Sequence, residues 1–281
     1  MVKTRRLSSR RLARRSISTG YFRSGLPYIR FGSGPSPLVV FEGLAPENKP
    51  DNRMPVMMYR FLGQAYTVHA VPRRPGLPPG YSLKDMADDY ATLITEEFGG
   101  PVDVIGVSTG GSIAQHFAAD HSDLVRRLVL HSSAHTLNDD AKRLQLEYAR
   151  LAGLGDWRAA SELIMGVMMP KKGPLRVFAK PLTQVAAWVM SRRPPADASD
   201  LVVTVEAEDK LAFRDRLHEI TVPTLVAGGT EDPFYSGELF RETAAGIPNA
   251  RLALYEGMGH PARGKAFQRD VLDFLREAPA Q

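Results

Sequence analysis

Two periods of hydrophobic and polar residues alternate along the chain. Short apolar runs at residues 38–41 and 102–107, bounded by glycine, proline or polar residues, have the length and content of buried strands. Longer stretches repeat their apolar residues at helical spacing, as Met86, Tyr90, Leu93 and Ile94 do behind a Ser82 cap. Taken in order, the pattern predicts a hairpin from runs 16–22 and 26–31 turning at Arg23-Ser24-Gly25, a strand at 38–41, a helix at 54–62 and a strand at 66–71. A loop rich in proline and glycine, 72–80, precedes the Ser82 helix. Strand 102–107, a tight turn at Ser108, helix 111–120 and strand 128–130 come next.

From residue 134 to 219 only the helical period persists, with Trp157, Met165, Met168, Met169 and Trp188 among its apolar residues. Strand 224–227, helix 236–245, strand 251–255 and helix 265–275 then restore the alternation. The expected class is α/β, a mostly parallel sheet with helices on both faces and an inserted helical cap. The expected organisation is a core in two parts, 16–133 and 220–281, a cap at 134–219, and an extension at 1–15.

Composition supports an ordinary folded chain: 43% of 281 residues are hydrophobic and 24% charged, which excludes collagen-like, low-complexity and wholly disordered readings. The absence of cysteine excludes a disulfide framework, a thiolate zinc site and a cysteine nucleophile. The net charge of +5 suggests an anionic partner until it is located. Lys3, Arg5, Arg6, Arg10, Arg11, Arg14 and Arg15 lie within the first 15 residues with no acid among them, leaving 29 basic against 31 acidic residues in the body. Nucleic-acid binding is therefore not expected of the body, and the basic segment reads as a solvated extension. It lacks the apolar stretch of a secretory signal, although it shares the Arg-rich, Ser-rich composition of organelle transit segments; a cytoplasmic protein with no membrane span is the expectation.

The chemistry concentrates in three places. Gly106-Val107-Ser108-Thr109-Gly110 is a G-x-S-x-G run between a predicted strand and a predicted helix. Such a turn lifts the serine hydroxyl above the sheet edge and points the first N–H groups of the helix at developing negative charge. A serine needs a base, and the base needs an orienting acid. Of seven histidines, His260 stands in the glycine-rich loop Glu256-Gly257-Met258-Gly259-His260-Pro261 directly after the last strand. His69, His116, His121, His131, His135 and His218 read as core or surface residues. Asp232, in the loop after strand 224–227, is the candidate acid, with Glu231 its local rival. The order Ser108, Asp232, His260 separates this chain from both chymotrypsin-like and subtilisin-like arrangements.

These motifs, with Gly32-Ser33-Gly34 near the start and Gly228-Gly229-Thr230-Glu231-Asp232-Pro233 near the end, resemble the lidded, single-domain branch of the α/β-hydrolase superfamily, esterase- or perhydrolase-like, over residues 17–276. The resemblance implies a Ser108–His260–Asp232 triad and an oxyanion hole from the backbone N–H groups of Thr109 and Leu44. It also implies no metal or organic cofactor. Where the family usually carries His-Gly after its third strand, this chain has Glu42-Gly43. Glu42 is expected to serve as a structural hydrogen-bond acceptor, with a raised-pKa acid that modifies the chemistry as the sharper alternative.

The expected activity is hydrolysis of a carboxylic ester or related acyl bond in a small, largely apolar substrate. Perhydrolase, lactone and carbon–carbon bond hydrolysis on the same triad are the alternatives, and a non-catalytic ligand-binding relative is the alternative of another class. Epoxide hydrolases and haloalkane dehalogenases fit poorly, since those relatives place aspartate where Ser108 stands. Trp157, Met165, Met168, Met169 and Trp188 are the candidate pocket lining, although methionines at helical spacing also suit a cap's own core.

Overall fold

A computed structural model of the protein describes residues 17–168, 176–192 and 194–277. The basic extension at 1–15 and Met169 lie outside the described residues. The chain runs β1 (Ser18–Tyr21), β2 (Pro27–Gly32), β3 (Ser36–Phe41), α1 (Met54–Tyr59), β4 (Tyr66–Val71), α2 (Leu83–Phe98), β5 (Val102–Val107), α3 (Thr109–Asp120) and β6 (Val125–His131). Helices α4 (Asp139–Gly153), α5 (Trp157–Met168), α6 (Arg176–Ser191) and α7 (Ser199–Asp209) follow, then β7 (Thr224–Gly229), α8 (Gly237–Gly246), β8 (Ala250–Tyr255) and α9 (Lys265–Arg276).

The sheet has the order β1-β2-β4-β3-β5-β6-β7-β8, antiparallel at its first two pairings and parallel from β4 onward. Continuous apolar runs become strands buried on both faces, each face receiving alternate residues. In β3, Val39 and Phe41 enter the core under α2 and α3 with Tyr90, Ile113 and Phe117, while Leu38 and Val40 enter the opposite core with Tyr59, Phe267 and Phe274. Because β4 lies outside β3 while β5 lies on its other side, the chain reverses its direction of travel across the sheet between β3 and β5. α1 and α3 consequently leave on opposite faces, opening a crevice above the strand carboxyl ends.

The predicted hairpin closes with Phe22 N–H donating to the Leu26 carbonyl. Ser82 does cap α2, its hydroxyl accepting from Asp85 N–H while the Asp85 carboxylate accepts from Ser82 N–H. Two expectations need adjustment. The helix expected over 54–62 gives way to a 3₁₀ turn at Arg60–Leu62, and α3 begins at Thr109 rather than at 111. The second difference matters, because Ser108 then stands directly before the helix. Between β6 and β7 the described elements are helical, α4 to α7 followed by a 3₁₀ turn at Arg214–Glu219.

Candidate active site

Ser108 leaves β5 with φ 52° and ψ −126°, a left-handed conformation that costs a non-glycine residue on the order of 1–3 kcal/mol. Its surroundings hold it there. Ser108 N–H donates to the His131 carbonyl at 3.0 Å, and the Ser108 carbonyl accepts from Gly111 N–H at 2.7 Å. The flanking glycines answer to close approach: a Cβ on Gly106 would lie 2.6 Å from both Ala114 Cβ and Gly111 Cα, and one on Gly110 would lie 2.1 Å from the Phe41 carbonyl oxygen. The motif is thus the steric condition for α3 to start tight against the ends of β3 and β5.

The loops after β7 and β8 are laced together. Glu231 N–H donates to the Met258 carbonyl at 2.9 Å, and Gly257 N–H to Thr230 Oγ1 at 2.9 Å. This lacing brings His260 Nδ1 to 2.7 Å from Asp232 Oδ2 and His260 Nε2 to 3.0 Å from Ser108 Oγ. Asp232 meets the histidine, and its other oxygen accepts from Phe234 N–H at 2.9 Å and Tyr235 N–H at 3.1 Å. The side chains of His260 and Asp232 are 8% and 0% exposed. An ionised Asp232 accepts only, so it selects the tautomer protonated at Nδ1 and leaves Nε2 to accept from the serine hydroxyl. Phe234 packs on the imidazole at 4.8 Å between ring centres.

A buried layer under this chain escaped sequence reasoning. His131, fully buried, donates from Nε2 to the Ala262 carbonyl at 2.7 Å and accepts at Nδ1 from the Tyr59 hydroxyl at 2.6 Å. Burial pushes its pKa down to about 3, so it is a neutral strut. Ser132 Oγ accepts from Ala262 N–H at 2.9 Å. Ala262, two residues past His260, is thereby pinned at both backbone groups to the end of β6. Of the other histidines, His121 meets Asp88 at 2.7 Å and His135 meets Thr243 at 3.1 Å, away from Ser108.

Glu42 is 2% exposed, with one oxygen accepting from Asn52 Nδ2 at 2.8 Å and the other without a partner. Burial raises its pKa to about 7, against the opposing pull of the Asn52 hydrogen bond and the nearby Arg73 charge. A raised carboxyl pKa means the folded protein keeps a proton that the unfolded chain has already released. The stability that this proton contributes is complete below about pH 4.5 and is lost as pH rises through about 7. Glu42→Gln, which keeps an acceptor for Asn52, is therefore expected to gain on the wild type by up to about 3 kcal/mol between pH 4.5 and 8, read by urea unfolding. A difference that stays flat with pH would show that the carboxyl does not titrate in this window. Turnover of Glu42→Gln should stay within about tenfold of wild type.

Gly43 faces the serine: a Cβ built there would lie 3.3 Å from Ser108 Cβ. Beyond it, Leu44 N–H donates to no described backbone group, and Thr109, first in α3, has no i−4 carbonyl to bond. The Leu44 side chain packs into a small core of α4, α5 and α7 that includes Tyr148, Leu201 and Val205.

Trp157 joins the same core, and Met165 is half-buried. Met168 and Trp188 are 38% and 49% exposed, with Arg192 stacked on the Trp188 ring at 4.6 Å. The residue of α7 that meets the first turn of the serine helix is Glu208. Fully buried, it accepts from Thr109 Oγ1 at 2.7 Å, Ser112 Oγ at 2.8 Å and the Tyr235 hydroxyl at 3.3 Å. Its only mark in the sequence is an acid following the apolar residues of Leu201-Val202-Val203-Thr204-Val205. A cavity of about 420 Å³, lined in part by Asn138, Leu144, Val167 and Pro233, reaches Phe234 beside His260. Among the described residues, no group of three or more His, Asp or Glu is placed to hold a metal ion, and no helix is long and apolar enough to cross a membrane.

The chain belongs to the α/β-hydrolase family, whose family model matches residues 32–269. It is 26% identical over 231 residues to a poly(3-hydroxyalkanoate) depolymerase of Ectopseudomonas oleovorans, covering 74% of this chain and 71% of that protein. It is 44% identical over 66 residues to a 2-hydroxy-6-oxononadienedioate/2-hydroxy-6-oxononatrienedioate hydrolase of Cupriavidus pinatubonensis, a match spanning 22% of this chain and 23% of the relative. Among solved structures, an α/β hydrolase from a Medee basin deep-sea metagenome library superposes with TM-score 0.77 at 16% identity, over 94% of this chain and 99% of that one. The enol-lactonase of Burkholderia xenovorans LB400 superposes with TM-score 0.73 at 19% identity, over 92% of this chain and 100% of that one. At such identities the superpositions show the fold.

Proposed function

We propose that the protein is a serine hydrolase of carboxylic esters or related acyl bonds. The observation that carries this reading is the chain from Ser108 Oγ to His260 Nε2 at 3.0 Å and from His260 Nδ1 to Asp232 Oδ2 at 2.7 Å. His260 takes the hydroxyl proton as Ser108 attacks the substrate carbonyl, and the imidazolium is stabilised by Asp232. Leu44 and Thr109 N–H receive the oxyanion, each contributing about 3 kcal/mol to the lowered barrier. His260 returns the proton to the leaving group, the acyl-enzyme forms on Ser108, and water repeats the sequence to release the acid. Metal and organic cofactors have no role in this scheme.

Helices α4 to α7 act as the cap. Leu44 packs beneath them and Glu208 ties them to α3, so the cap and the oxyanion loop are one packed unit. Leu144 and Val167, on the wall of the cavity that reaches Phe234, support a small, largely apolar acyl group, while Asp139, Asp140 and Arg143 on the same wall leave room for a polar end.

p-Nitrophenyl esters of increasing acyl length, together with a fluorophosphonate label, test the reading. Wild-type protein is expected to label at Ser108 and to turn over at least the shorter esters. Labelling without ester turnover would move the assignment to lactone, carbon–carbon or peracid chemistry on the same three residues. Neither labelling nor turnover would leave a ligand-binding relative and end the hydrolase reading.

A further inference from the structure

Arg73 is a cation buried beside the site. It lies two positions past β4, in the proline-rich loop, and is 1% exposed. Among the described residues its guanidinium forms no ion pair; it is spent on backbone. Nη1 donates to the Glu42 carbonyl at 3.1 Å and the Gly43 carbonyl at 3.2 Å, and Nη2 donates to the Gly43 carbonyl at 3.1 Å. Two buried carboxylates, Glu42 and Glu208, feel its charge without touching it. A buried cation without an ion-pair partner is expensive, and hydrophobic packing serves a loop end better if holding the chain is all that is needed.

The Gly43 carbonyl belongs to the same planar peptide group as the Leu44 N–H. A fork clamped on the oxygen at one end sets the direction of the N–H at the other. A full positive charge on that oxygen also polarises the amide and strengthens its N–H as a donor. β4 supplies the geometry: Val71 pairs with Phe41, and the Val71 carbonyl accepts from Glu42 N–H, so Arg73 emerges alongside Gly43.

We infer that Arg73 is a positioning residue for the oxyanion hole, orienting and polarising the Gly43–Leu44 peptide from behind. The inference rests on the serine-hydrolase reading above. A side chain acting through that peptide serves the transition state, where the oxyanion carries full charge, and hardly affects the bound ester.

The experiment compares wild type, Ser108→Ala, Arg73→Ala and Arg73→Lys on one p-nitrophenyl ester and on binding of an alkylboronic acid, which adds to serine as a tetrahedral anion. Wild-type turnover abolished in Ser108→Ala establishes the underlying reading first; its absence sinks that reading and this inference together. Given turnover, Arg73→Ala is expected to lower kcat by about 100-fold with KM within about threefold. Boronate affinity should weaken by a comparable factor, and millimolar guanidinium should restore part of kcat. Arg73→Lys, which keeps the charge but loses the two-pronged grip, should fall between and retain the fold if Arg73→Ala does not. Folded Arg73→Lys at wild-type kcat, or a loss confined to KM with boronate affinity unchanged, overturns the inference.

Discussion

Ser108→Ala is expected to lower kcat for p-nitrophenyl ester hydrolysis by roughly 10⁵-fold or more, about 7 kcal/mol of barrier, and to abolish fluorophosphonate labelling. The hydroxyl is the only atom removed, and alanine has the same Cβ and meets the same backbone demand at φ 52°. The bonds from Ser108 N–H to the His131 carbonyl and from Gly111 N–H to the Ser108 carbonyl are backbone and persist. The melting temperature should therefore move by no more than a few degrees, which separates loss of the nucleophile from loss of the fold. Residual turnover near wild-type level would place the reactive group elsewhere and dissolve the role assigned to His260 as well.

The second large effect falls on stability and comes from Glu208, which the sequence pattern does not mark as special. Glu208→Ala removes the acceptor shared by Thr109, Ser112 and Tyr235, stranding three buried hydroxyls, and takes away one of the two carboxylates near Arg73. Breaking one side of a buried charged network costs about 3–5 kcal/mol, so urea unfolding is expected to show a loss of that size. Glu208→Gln keeps one acceptor oxygen and the shape, and should lose about 1–2 kcal/mol. Burial raises the Glu208 pKa, so its protonated form contributes stability that is full below the unfolded value and declines as pH rises through the folded one. The deficit of Glu208→Ala relative to wild type should accordingly be largest at acid pH. A deficit under about 1 kcal/mol at every pH would mean that α7 does not depend on this contact.

Glu208 and Ser108 differ in how far local sequence could disclose them. The G-x-S-x-G run is readable because its glycines answer to a clash that any strand-to-helix turn of this kind creates, at Gly106 against Ala114 and at Gly110 against the end of β3. His260 and Asp232 are readable as loop residues after strands, and their order along the chain narrows the alternatives. His131 is different. It is the last residue of a strand, fully buried, and makes its bonds to Tyr59 and Ala262, residues far from it in sequence. Nothing within a window of ten residues shows that it braces Ala262 from behind. The same holds for Arg73, which in sequence is one cation of a Pro-Arg-Arg-Pro loop.

Trp188 and Met168 show the opposite failure. Helical spacing puts them on helices, but spacing alone cannot say which face a helix buries when its neighbours are other helices, and both side chains emerge exposed. Glu42 is legible as a departure from the family's usual histidine, with a raised pKa as one of two readings; what raises it is burial by residues from distant elements, which the local sequence does not record.

By itself the sequence determined the alternation of strands and helices, the hairpin and Ser82 cap, the helical interruption between β6 and β7, the serine turn and the loops that carry Asp232 and His260. These are local matters, decided by side-chain periodicity, capping and the sterics of a few adjacent residues. The tertiary structure alone decided that β3 lies between β4 and β5, that Gly43 faces Ser108, that Arg73 grips the carbonyls behind Leu44, and that Glu208 reaches the first turn of α3. Each of these depends on which strands become neighbours. That choice is made by burying apolar faces against one another across more than a hundred residues, and local sequence carries no record of it.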